Sequence, residues 1–374
     1  MINEKSVHLS INVLVCNADF VENIMLIQMS DKMQLSVVAA IVMGVASAGV
    51  GIAFWQPNQA DAVTNAANQW IETLDPDQRA QALRPFQDET RTDWHFIPKN
   101  DRKGVQLRDM TQTQKDAAFK CLQSVLSSVG YTKATEIMHL EEILRRLEGE
   151  QARNVRDDQR YFFTIFGMPD EAGSWGISIE GHHLSLNVTI RDNQVVDSTP
   201  QFFGANPATV HTSSAGLPPV GHRVLRDEES LAFQLVQSLN TSQQEQAIIA
   251  KEAPREIRAA GEPQPGNEPM EGIAYSELDP KQQSLLRRLV ETYCQIMPDP
   301  VAEARLQACK PWDAVRFAWA GSLEPGVGHG YRVEGTNFLI ELVNVQPDPE
   351  GNPANHIHCI WRDKTGDFDL PNAG

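Results

Sequence analysis

The chain has 374 residues, 49 acidic and 32 basic, and a net charge of −17. That much negative charge argues against nucleic acid and anionic membranes as partners, and the length suffices for one large domain or two fused ones. Neither a P-loop nor G-x-G-x-x-G occurs, so no nucleotide cofactor is expected, and the serines include no G-x-S-x-G elbow.

From the N-terminus, Leu35 to Phe54 is an almost unbroken apolar run, preceded by Lys32 and followed by Ala60-Asp61-Ala62. A base, an apolar stretch and A-x-A read as a signal peptide over residues 1–62. The run is long for that role, so an uncleaved membrane anchor is the alternative. Met29 or Met33 is the expected true start. Either way the protein is expected to be exported, to the periplasm or beyond. Of the cysteines after residue 62, Cys294 and Cys309 are close enough in sequence to pair, and Cys121 reads as a buried thiol.

Next comes Trp94-His95-Phe96-Ile97-Pro98, an aromatic strap over the edge of a core. Thr111-x-x-Gln114 is a capping box opening a helix with Ala118, Phe119, Leu122 and Val125 on one face; Gly130 is expected to close it, and a second helix runs from Met138 to Leu147. A strand-rich segment follows, then a helix from Glu228 to Ile249. Residues 253–272, rich in Pro, Gly and Glu, read as a linker. Asp279-Pro280 and Asp299-Pro300 then open two further helices ahead of a second strand-rich segment.

Shifting the chain by 154 places Phe163, Gly167, Gly176, Glu180 and Gly181 on Phe317, Gly321, Gly330, Glu334 and Gly335. The apolar alternation that follows stays in phase. The expected fold is α+β: two related halves, 63–252 and 273–374, each a helix pair followed by an antiparallel meander, packed as a pseudo-symmetric unit.

Four of the ten histidines fall in two clusters, Gly181-His182-His183-Leu184-Ser185-Leu186-Asn187 and Asn355-His356-Ile357-His358. In an extended strand His356, His358 and Arg362 share a face. Strand alternation puts His183 with Ser185 and Asn187 on a polar face, and His182 with the leucines, as a donor of a buried hydrogen bond. His183, His356 and His358, with His182 beside them, are the expected metal ligands; three imidazoles with an open position suit catalytic zinc, and also copper. Asn187 and Glu341 would complete the pocket. Glu341 is the expected general base and Arg362 the group that stabilises developing negative charge. The plain alternative is a set of hydrogen-bonded structural histidines. Asp363 to Asp369 reads as a solvated acidic tail.

Arg156-Asp157-Asp158, Tyr161 to Gly167, the two histidine motifs, Phe202-Phe203-Gly204-Ala205-Asn206-Pro207 and Trp361-Arg362-Asp363 together resemble the domain-of-unknown-function family 3500, exported bacterial proteins. The resemblance covers about Trp70 to Asp369. It implies boundaries and a motif set, and carries no activity. The expected function is therefore that of an exported metalloprotein, a metal-dependent hydrolase acting on a small-molecule or polymer substrate. The alternative is a metal-free binding module in which His183 and Arg362 grip a small anion. No membrane contact is expected beyond the N-terminal anchor.

Overall fold

A computed structural model describes residues 59–372, apart from 100, 150–152 and 171. The apolar run at 35–54 and both expected start methionines lie outside the described residues. Helix α1 spans Gln59–Thr73 and buries Ala60, Val63, Ala67 and Trp70. Ala60-Asp61-Ala62 is thus its first turn, and the packed structure begins ahead of the boundary expected at residue 63. Among the described residues no helix is long and apolar enough to cross a membrane.

The architecture is mixed, with eight α-helices and one sheet of 13 strands among the described residues. After α1 come α2 (Pro76–Ala82), β1 (Leu83–Arg84), β2 (Val105–Gln106), α3 (Gln112–Val125) and α4 (Ser128–Glu148). The meander β3 (Phe162–Phe166), β4 (Ser174–Gly181), β5 (Leu184–Arg191), β6 (Gln194–Asp197) and β7 (Gln201–Ala205) follows. Then come α5 (Arg226–Ser238), α6 (Thr241–Ala247), β8 (Ile248–Ala250), β9 (Ile273–Ala274), α7 (Pro280–Cys294) and α8 (Asp299–Ala308). A second meander, β10 (Arg316–Gly321), β11 (His329–Glu334), β12 (Phe338–Asn344) and β13 (Ile357–Asp363), ends the chain. The strand order is β1-β3-β4-β5-β7-β13-β12-β11-β10-β8. The meanders meet in mid-sheet, where β7 pairs antiparallel with β13; only the outermost strands, β1 on β3 and β8 on β10, are parallel.

Side-chain alternation gives the sheet two cores. Phe203, Ala205, Ile340, Leu342, Ile357, Cys359 and Trp361 face the helices in the large one. Phe202, Val343 and Ile360 face the other way and pack with Trp94, Phe96, Ile257 and Phe368. Trp94 and Phe96 thus belong to the expected aromatic strap.

Several helix boundaries depart from the sequence reading. The helix opened by Thr111 stops at Val125, because Ser127 caps a new one by accepting from the Gly130 N–H at 3.1 Å. Gly130 therefore opens α4, and a Cβ there would lie 2.1 Å from the Ile296 carbonyl oxygen. The helix expected over 228–249 breaks at Asn240, whose capping box with Gln243 starts α6. The capping boxes at Thr111 and Asp279 form.

Residues 253–272 are not a free linker. Ile257 is 3 % exposed, and Arg258 binds Glu341 through its backbone N–H and its Nε, each at 2.8 Å. Pro and Gly there give the chain an irregular path across the sheet. Asp367 is likewise fully buried against Arg362 rather than solvated, and all four described cysteines are free and buried, so Cys294 and Cys309 do not pair.

Candidate metal centre

His182 and His183 occupy no strand. Gly181 pairs with Leu184, so the two histidines form the tip of the β4–β5 hairpin. Strand alternation therefore does not orient them. His183 has φ +63°, a left-handed conformation uncommon outside glycine that costs about 1 kcal/mol or more and needs surrounding support. The support is visible: its N–H donates to the Phe96 carbonyl at 2.9 Å, and its carbonyl accepts from the Gly204 N–H at 2.8 Å. Gly204 is needed for a second reason, since a Cβ there would lie 2.8 Å from His183 Cδ2.

From the other meander, His358 projects from β13 and His356 lies just before that strand. The three rings turn their Nε2 atoms to one point. His183 and His356 are 2.7 Å apart there, His356 and His358 3.1 Å, and His183 and His358 3.3 Å. Three nitrogens each about 2 Å from one tetrahedral ion stand roughly 3.3 Å apart, so the spacing fits a single metal ion with little adjustment.

The surroundings are apolar on one side and polar behind. Phe96 and Phe202 set their rings 4.8 and 5.4 Å from that of His358. His183 and His358 are buried, and His356 is half-buried. Burial, and then the neighbouring imidazoles, hold His183 well below the usual histidine range, while burial and His358 bring His356 down to about 2. These rings are therefore neutral, the form that ligates metal. Behind them, His358 Nδ1 lies 2.8 Å from the Glu256 carboxylate. Asn206 Nδ2 is 3.3 Å from His356 Nδ1, while its own buried Oδ1 has no partner.

His182 sits next to the cluster with its Nδ1 turned away. That nitrogen meets Glu141, and Arg156 Nη1 lies 3.1 Å from it. The His182 ring stacks on that of His183 at 3.7 Å. Glu141, His182 and His183 are close enough to hold an ion, but a guanidinium at the ligand nitrogen and face-to-face imidazoles disfavour a cation there.

Three expected members lie elsewhere. Both Glu341 oxygens accept from Arg258, so its carboxylate is occupied on β12. Asn187 donates to the Pro200 carbonyl at 3.0 Å. Arg362 is fully buried, with Nε on Asp367 and its other nitrogens on the Ala259 and Glu262 carbonyls. Each is bonded to partners of its own, and among the described residues none of the three is bonded to an imidazole.

Sequence reasoning missed Glu256, Glu141 and the amide of Asn206. Glu256 is 102 positions from His358 inside a segment whose composition suggests a linker, and nothing local marks it. Asn206 stood within a noted motif, and the following Pro207 was its only signal of a fixed backbone. None of the curated proteins and none of the solved structures matches the chain. Residues 56–370 match the model of the family described as protein of unknown function DUF3500, and the chain belongs to that family.

Proposed function

We propose that the protein is an exported metalloprotein in which His183, His356 and His358 hold one zinc or copper ion, and that with zinc it is a hydrolase. The observation that carries this reading is the meeting of three Nε2 atoms within 2.7–3.3 Å. Zinc held by three imidazoles lowers the pKa of a bound water and polarises a carbonyl or phosphoryl oxygen.

The chain's own residues prepare the ligands. Glu256 accepts the Nδ1–H of His358, fixing the tautomer that leaves Nε2 free. Rotating the Asn206 amide would bring its unpartnered Oδ1 to the Nδ1–H of His356 and do the same there. Phe96 and Phe202 keep water from one side. Glu341 has no part in this reading, because Arg258 occupies it.

The metal-free anion module is less well supported: Arg362 has no guanidinium nitrogen to spare, and neutral imidazoles attract an anion poorly. The same reading includes two related halves. Its support is the strand order on either side of the β7–β13 pair and the parallel edge strand after a seven-residue capped helix at each margin.

Metal analysis of protein purified without a histidine tag tests the proposal. About one equivalent of zinc or copper, lost in His356→Ala, is the expected result. Less than a few tenths of an equivalent of any transition metal after reconstitution would overturn it.

A further inference from the structure

On the helical side of the sheet, across β13 from the imidazoles, lies a cavity of about 360 Å³. Its walls include Trp361 and one side of α8, where Val301, Ala304 and Ala308 stand. Arg305 enters it from α8. This arginine is 6 % exposed and lays its guanidinium 4.9 Å above the Trp361 ring. Nη1 donates to Gln201 Oε1 at 2.6 Å, and Nη2 to the Ser198 carbonyl and hydroxyl at 2.9 and 2.8 Å. All those acceptors are neutral. The buried Nε has no partner, and no ion pair to Arg305 exists among the described residues.

A buried guanidinium is unfavourable unless an anion accompanies it. Two acids line the cavity, Asp197 and Asp363, and both are otherwise engaged. Asp197 accepts from the Ser198, Thr199 and Asp369 N–H groups and from the Thr199 hydroxyl. Asp363 accepts from the N–H and hydroxyl of Thr365. Burial also pushes the Asp197 carboxyl well up, towards its neutral form. Arg362, one strand face away, has the buried Asp367 that Arg305 lacks.

We propose that this cavity binds a small organic carboxylate with an apolar body: the Arg305 guanidinium, whose unpartnered Nε has no accessible surface at rest, turns to offer that nitrogen to the carboxylate, and Val301, Ala304 and Ala308 of α8 take the body. The volume is within the range of small-molecule sites, and an arginine is the side chain best shaped for a carboxylate. The site does not depend on the metal centre.

Benzoate is the probe, and benzamide is its neutral isostere, both titrated into the full chain by calorimetry at fixed ionic strength. Benzoate is expected to bind with a Kd on the order of 1 mM, benzamide at least tenfold more weakly. Arg305→Met, which keeps the apolar stem, and Ala304→Trp, which fills the cavity from an exposed helix position, should each weaken benzoate at least tenfold. His183→Ala should leave it unchanged. Should Arg305→Met fail to fold, Ala304→Trp decides. No benzoate binding up to about 20 mM, equal affinity for benzamide, or unchanged affinity in Ala304→Trp would overturn the proposal.

Discussion

The two hairpins β4–β5 and β11–β12 begin alike and end differently. Each has a glutamate and a glycine ahead of its tip, Glu180-Gly181 and Glu334-Gly335, and each glutamate is buried between two cations. Glu180 faces Lys103 and Arg102, and Glu334 faces Lys364 and Arg258. The first tip is His182-His183, buried beneath the Phe96 strap and against Gly204. The second is Thr336-Asn337, with Thr336 exposed and only the Asn337 carbonyl held, by the Lys364 N–H at 2.9 Å. The frame is similar, so the covering chain decides which tip can become a site. A strap that accepts the tip's N–H makes the left-handed turn at His183 tolerable and excludes water; the uncovered tip, where neither Thr336 nor Asn337 has positive φ, is surface.

The largest effect expected from this contrast is at the first tip itself. His183→Ala should lower metal affinity by more than about 1,000-fold, beyond the roughly 10–100-fold typical of outer-shell changes, as read by competition with a chromophoric chelator. Next, Glu180→Ala leaves Lys103 and Arg102 without their carboxylate and should cost about 3 kcal/mol in denaturant unfolding; Glu334→Ala strands Lys364 but leaves Arg258 paired with Glu341 and should cost less; only the first should also weaken metal binding, and equal weakening by both would break the comparison. Glu256→Gln removes the charge behind His358 and should lower metal affinity by about 10–100-fold with little change in stability. The smallest effect is expected from Thr336→His, which gives the second tip an imidazole without a cover. It should bind no second equivalent of metal and change stability by no more than about 0.5 kcal/mol.

The strand position of His358 could be read from the sequence pattern, and His356, just ahead of the strand, follows from the two-residue spacing. Their meeting with His183 was readable only as a wager on how the meanders pack. Strand phase does not orient His183; a two-residue turn aims it. The capped helix starts at Thr111 and Asp279 were readable because capping is local. Gly130 misled because a glycine that ends a helix and one that admits a crossing backbone look the same in sequence. Residues 253–272 misled for a related cause: an irregular strap needs the same Pro and Gly that a free linker contains. Its partners, Glu341 and Arg362, lie about 80–100 positions away, beyond any local pattern.

The seam between β7 and β13 has a temporal consequence. His183 and His356 stand 173 positions apart, yet their rings meet across this joint. A ribosome-bound chain still lacking the segment from His356 to His358 brings only one of the three imidazoles to the joint. An ion captured there would rivet two remote parts of the polypeptide together, so its arrival would report that the two meanders had paired.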